Sequence, residues 1–121
     1  MSKKILVVDS VDTRELLHLY SKGAGYTVLV AADGGEGLYR AKADEPDLII
    51  TDITMPNLDG YGMIRELRAT ERFADMPIIA LTAYGEEQLE RAREAGATEA
   101  MTKPMNLEEL VRLVNSLLPP P

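Results

Sequence analysis

Apolar positions along the chain fall into two patterns that alternate from end to end. Short consecutive runs stand at Ile5 to Val8, Val28 to Ala31, Leu48 to Ile50 and Ile78 to Leu81, with a weaker one at Ala100-Met101. Residues apolar at successive positions imply burial on both faces, as in the strands of a parallel sheet. Between them, apolar side chains recur at three and four, the helical period. Asp12-Thr13 can cap a first helix carrying Leu16, Leu17 and Tyr20, which Gly23 and Gly25 end. Gly34-Gly35 opens a second with Leu38 and Ala41 inward, and Pro46 closes its connection to the next strand. Pro56 and Gly60 bracket a loop before a third, marked by Ile64 and Leu67. A fourth runs from about Glu86 to Ala95 and stops at Gly96, which takes the left-handed conformation at low cost. The fifth starts near Leu107 and presents Leu110, Val111, Val114 and Leu118. Five strands alternating with five helices predict an α/β fold, a doubly wound parallel sheet whose right-handed crossovers leave helices on both faces.

The residues that follow three of the strand runs differ sharply from them. Asp52 stands after Leu48-Ile49-Ile50-Thr51, Thr82 after Ile78-Ile79-Ala80-Leu81, and Lys103 just after the last run. Open parallel sheets bind ligands beyond the carboxyl ends of their strands. A carboxylate, a hydroxyl and an ammonium can therefore meet at one edge, a set suited to phosphate chemistry. Asp52 opens Asp-Ile-Thr-Met-Pro-Asn-Leu-Asp-Gly, residues 52 to 60. An exposed carboxylate there can attack phosphorus to form an acyl phosphate; the plainer role is a turn aspartate bonded to its own backbone. Thr82 can donate to an anionic oxygen or cap a helix, although the helix after it is expected to begin only near Glu86. Lys103, held extended by Pro104, can neutralise Asp52 and then a phosphoryl oxygen, or be a plain surface lysine. Asp9, after Ile5-Leu6-Val7-Val8, puts a second carboxylate near Asp52 or simply ends its strand. Two close carboxylates repel unless a proton or a cation intervenes, and a carboxylate pair with water and phosphate oxygens suits magnesium.

Composition narrows the classes further. A chain of 121 residues with 45% hydrophobic content fits one globular domain with its own core. The net charge of -7 opposes non-specific nucleic-acid binding and suits a protein that binds divalent cations. The absence of cysteine excludes disulfides, thiolate catalysis and cysteine-ligated metal centres. The one histidine, His18, lies within Leu16-Leu17-His18-Leu19-Tyr20 and reads as a helix-surface residue rather than part of a catalytic triad. No segment approaches the length of a membrane span, and the first apolar run is too short for a signal-peptide core, so a cytoplasmic location is expected. Pro119-Pro120-Pro121 is expected to be a tail or a linker stub.

Taken together, Val7-Val8-Asp9, the 52 to 60 segment, Leu81-Thr82-Ala83, Gly96-Ala97 and Thr102-Lys103-Pro104 resemble, at their intervals, a response-regulator receiver domain of two-component signalling. The resemblance, of the single-domain chemotaxis-regulator type, extends from Lys4 to Leu118, so that residues 1–118 are expected to form the domain. It implies a flavodoxin-like sheet of order 2-1-3-4-5. It also implies transfer of a phosphoryl group from a histidine kinase or histidine phosphotransfer protein to Asp52, with Mg2+. Thr82 and Lys103 would bind the phosphoryl group, and Asp9, Asp52 and the Thr54 backbone carbonyl the metal. The side chains of Thr54 and Tyr84 match positions that tune dephosphorylation. Such a protein is a phosphoacceptor regulator that assists its own phosphorylation and dephosphorylation, not an enzyme in the ordinary sense. Its partners would be the kinase and a downstream protein or output domain, with no direct nucleic-acid or membrane contact.

Two departures qualify the resemblance. Receivers usually carry an acidic pair after the first strand, whereas Asp9-Ser10-Val11-Asp12-Thr13-Arg14 has one acid there and is one residue shorter. Ser10, a weak or water-mediated ligand at best, predicts weakened magnesium affinity; Asp12 is expected to cap the first helix. The switch position three residues before the motif lysine, usually aromatic, is Ala100, and Met105 follows Lys103-Pro104. These departures favour an alternative, an interaction module with impaired metal binding that engages partners independently of phosphorylation. An aspartyl phosphatase would need an aspartate where Thr54 stands, and a flavin-binding protein a Ser/Thr/Gly-rich loop after the first strand.

Overall fold

The structure is a computed structural model that describes residues 3–8, 26–53, 60–82, 85–102 and 107–118. Its strands are β1 (Lys4–Val8), β2 (Thr27–Ala31), β3 (Leu48–Asp52), β4 (Ile78–Thr82) and β5 (Glu99–Thr102). They form one sheet of order β2-β1-β3-β4-β5, parallel throughout, as expected for a doubly wound, flavodoxin-like α/β domain. Strand order reverses beside β1, so the carboxyl ends of β1 and β3 flank the switch point where such sheets bind ligands.

The described helices are α1 (Gly34–Asp44), α2 (Gly60–Arg68), α3 (Glu86–Ala95) and α4 (Leu107–Leu117). A single 3-10 turn, Glu71–Phe73, follows α2 and was not expected from periodicity. The helix predicted around Leu16, Leu17, His18 and Tyr20 lies outside the described residues, as do its Asp12-Thr13 cap and Pro119 to Pro121. Among the described residues no helix is long and apolar enough to cross a membrane.

Both sheet faces are covered, which explains the consecutive apolar runs. Leu6, Val8, Ile49, Ile78 and Ala80 share one core with Met63, Ile64 and Leu67 of α2 and with Ala92 of α3. Ile5, Val7, Leu48, Ile50, Ile79 and Leu81 pack with Leu110, Val114 and Leu118 at α4. Each Val, Leu, Ile or Met side chain among them contributes about 1.5–3 kcal/mol when fully buried.

The helix ends follow local chemistry. The extended backbone of Asp33 lets its Oδ1 accept the Glu36 N–H at 2.9 Å, capping α1. Gly96 ends α3 with φ 122°, the left-handed conformation its sequence position predicts. At the amino ends of β4 and β5, Arg68 of α2 holds three segments together. Its guanidinium donates to the carbonyls of Gly96 at 2.8 Å, Phe73 at 2.9 Å and Ala74 at 3.1 Å, and to Thr98 Oγ1 at 3.3 Å. Burial lowers the pKa of Arg68, and Asp75 partly opposes that shift.

Candidate functional site

The carboxyl edge of the sheet is organised around the end of β3. Both Asp52 and Thr82 belong to the strands they were expected to follow, as their final residues. The backbone ladder holds them there: Asp52 pairs with Leu81, and Thr82 pairs with Thr102. Thr82 thus closes the neighbouring strand one step beyond the partner of Asp52. Alternation along the strands puts Asp52 in phase with Leu48 and Ile50, and Thr82 in phase with Ile78 and Ala80.

Asp52 is half-buried, and its Oδ1 accepts the Ile53 N–H at 2.8 Å. The turn-aspartate role is therefore realised in part, and it fixes the carboxylate relative to its own backbone. The same Ile53 N–H reaches the Leu81 carbonyl at 3.0 Å, extending the β3–β4 ladder past Asp52. Beneath them, fully buried Thr51 donates its hydroxyl to the Asp52 carbonyl oxygen at 2.8 Å. The Gly60 N–H donates to the Ile53 carbonyl at 2.9 Å, tying the start of α2 to the residue after β3. Gly60 must be glycine here, because a Cβ would lie 2.7 Å from Ile53 Cα and closer still to the Asp52 carbonyl oxygen. Thr82 is only 2% exposed. It is not the cap of α3, which is Gly85, so its helix-capping alternative is corrected by the structure.

Lys103, Asp9, Ser10, Thr54 and Tyr84 lie outside the described residues. β1 ends at Val8 and β5 at Thr102, each immediately before one of them. Of the expected metal donors only Asp52 is described, a carboxylate of the type that hard divalent cations prefer. Among the described residues no three His, Cys, Asp or Glu side chains gather into a metal-binding group.

Ala100 pairs with Ala80 and is partly buried against the core on the α2 and α3 side. An aromatic that the sequence reading missed packs on that side. Tyr61, in the first turn of α2, is 5% exposed, and its hydroxyl donates to Gln88 Oε1. The Arg91 guanidinium lies 4.4 Å from its ring centroid. The available signal was its spacing of three from Ile64, which places it on the buried face of α2.

The family model for the response regulator receiver domain matches residues 5–115. The chain is 42% identical over 118 residues to the probable transcriptional regulator ycf27 of Cyanophora paradoxa, covering 96% of this chain and 48% of that protein. It thus spans about half the length of the curated relatives it matches first. Among solved structures, it is similar to the chemotaxis response regulator CheY4 of Vibrio cholerae, with a TM-score of 0.88 and 33% identity over 98% of this chain and 99% of that one. It is similar, too, to the receiver domain of the sensor histidine kinase PA1611 of Pseudomonas aeruginosa, whose structure has a magnesium ion coordinated in its active-site cleft. That likeness has a TM-score of 0.87 and 32% identity, over 97% of this chain and 98% of that one.

Proposed function

The chain belongs to the response-regulator receiver-domain family, signalling modules of two-component systems, and from that premise we propose that Asp52 is its phosphoacceptor. The observation that carries the reading is a carboxylate that ends β3 beside adjacent β4, which ends in a hydroxyl one step beyond the partner of that carboxylate. An Asp52 oxygen attacks the phosphorus of a phosphohistidine on a histidine kinase or histidine phosphotransfer protein. The new O–P bond forms as the N–P bond breaks, and the departing imidazole nitrogen keeps the electron pair and takes a proton from solvent. The Ile53 N–H orients the carboxylate, while the Thr82 hydroxyl and the Lys103 ammonium hold the transferred oxygens. Positioning and electrostatics supply most of the rate in such transfers.

Asp9, Asp52 and the Thr54 carbonyl would hold Mg2+, with Ser10 contributing weakly or through water. When bound, the ion offsets negative charge on the transferring group; Ser10 in place of an acid weakens its affinity. The Thr54 and Tyr84 side chains set the rate of dephosphorylation. Residues 1–118 form the domain and 119–121 a tail or linker. The regulator works in the cytoplasm, passing its state to a downstream protein or output domain without touching nucleic acid or membrane itself. A second reading, phosphorylation-independent partner binding, is favoured by the missing ring at Ala100.

Incubation with a small-molecule phosphodonor and magnesium, followed by intact-mass measurement, separates these readings. The wild type should gain one phosphoryl group, and Asp52→Asn should not. Absence of any Asp52-dependent gain overturns the phosphoacceptor reading and leaves the interaction module.

A further inference from the structure

We propose that Tyr61 is the positioning residue that carries the phosphorylation state of Asp52 to α3, a role that rests on the phosphoacceptor reading. It sits directly after Gly60, which has no clearance from the backbone of Asp52 and Ile53. A shift of that backbone therefore moves the first turn of α2. The ring of Tyr61 is buried, its hydroxyl donates to Gln88 Oε1, and the Gln88 carbonyl oxygen lies 3.4 Å away. The Arg91 guanidinium stacks on the same ring at 4.4 Å. Gln88 and Arg91 are three residues apart, so one face of α3 grips one side chain of α2.

The grip also closes a circuit. α3 follows β4, whose last residue, Thr82, is in phase with the face that α2 and α3 cover. Asp52 reaches α3 from one side through Gly60 and Tyr61, and from the other through Thr82. Phosphorylation turns the singly charged Asp52 carboxylate into an acyl phosphate carrying roughly 1.5 to 2 negative charges, next to the end of β4, and demands new donors there. Close-packed helices answer such a demand by shifting between discrete arrangements, not by yielding locally. At Ala100 only a methyl group lies on this face, and the other buried aromatic ring among the described residues, Phe73, sits in the 3-10 turn beyond the far end of α2. Tyr61 is the ring placed to transmit the change.

The test records amide NMR shifts of residues 86–95 with and without a small-molecule phosphodonor and magnesium, with intact mass measured on the same samples. In the wild type, phosphorylation should shift the α3 amides. Tyr61→Leu should still gain the phosphoryl group, yet its α3 shifts should shrink several-fold. Tyr61→Phe, which keeps the ring under Arg91, should recover part of them. Arg91→Ala, at an exposed position, guards against a folding defect in the leucine variant and should roughly halve the response. Wild-type α3 shifts in both Tyr61→Leu and Arg91→Ala, at equal phosphorylation, overturn the proposal. A wild type that gains mass without α3 shifts overturns it alone, whereas a wild type that gains no mass overturns the phosphoacceptor reading with it.

Discussion

Gly60 and Asp52 touch without a side chain between them: any Cβ at Gly60 would enter the space of the Asp52 carbonyl oxygen and lie 2.7 Å from Ile53 Cα. Both obstructing atoms are backbone, so no rotamer change can relieve the clash. Gly60→Ala should therefore cost about 1–3 kcal/mol of stability despite the better helix propensity of alanine. If Asp52 is the acceptor proposed above, it should also slow phosphoryl uptake, because the displaced backbone carries Asp52 and the N–H that orients its carboxylate. Urea unfolding and time-resolved intact mass would measure the two effects. A variant as stable and as reactive as the wild type would show that the contact is not fixed.

A second close approach involves side chains and has a different expected outcome. A Cβ on Gly37 would lie 2.7 Å from Met63 Sδ and 3.0 Å from Val8 Cγ2. Methionine is adaptable, but Met63 is fully buried and the valine is stiff at χ1. Gly37→Ala should gain about 1 kcal/mol of helix propensity and lose about 1–3 kcal/mol to overpacking, a net destabilisation. In a Met63→Ala background the clash with sulfur is gone, so the same change should be less costly or stabilising. Thermal unfolding of the four proteins in this cycle gives the coupling, and a coupling near zero would contradict the packing argument.

Legibility in the sequence follows the range of the interactions. Strands buried on both faces announce themselves as apolar runs, and Gly96 marks its helix end because a left-handed residue favours glycine. Asp52 and Thr82 were legible as polar residues after such runs. Their membership of β3 and β4 was not, because backbone ladder bonds leave no trace in side-chain polarity. The Asp33 cap did have a local signal, an aspartate with Glu36 three residues on. Arg68 and Tyr61 had almost none: their partners Gly96 and Gln88 lie 28 and 27 residues away, brought close only by the fold. Three residues, as in Glu71–Phe73, are too few to show a period.

Arg68 makes the strongest case for shape over charge. Four acceptors, three of them backbone carbonyls, converge on one guanidinium. Lysine keeps the charge but cannot present a planar fork to all of them. Arg68→Ala should cost about 2–4 kcal/mol, since carbonyls lose their donors as the alkyl stem loses its packing. Arg68→Lys should recover less than half of that loss. Chemical denaturation reads both, and a lysine variant matching the wild type would mean that charge alone holds the junction.

The acid missing beside Asp9 gives the sharpest expectation about the metal. A neutral hydroxyl is a poor ligand for a hard cation, so Ser10→Asp should tighten magnesium binding tenfold or more, about 1.4 kcal/mol. The sign should reverse without metal. In the proposed site an added carboxylate would crowd Asp9 and Asp52 and should lower the melting temperature in chelator. Magnesium should then raise that temperature more in the variant than in the wild type, because a ligand stabilises the state it binds in proportion to its affinity. Melting curves across a magnesium series test both halves at once. Equal magnesium dependence in the two proteins would mean that Ser10 is not the weak point of the metal site.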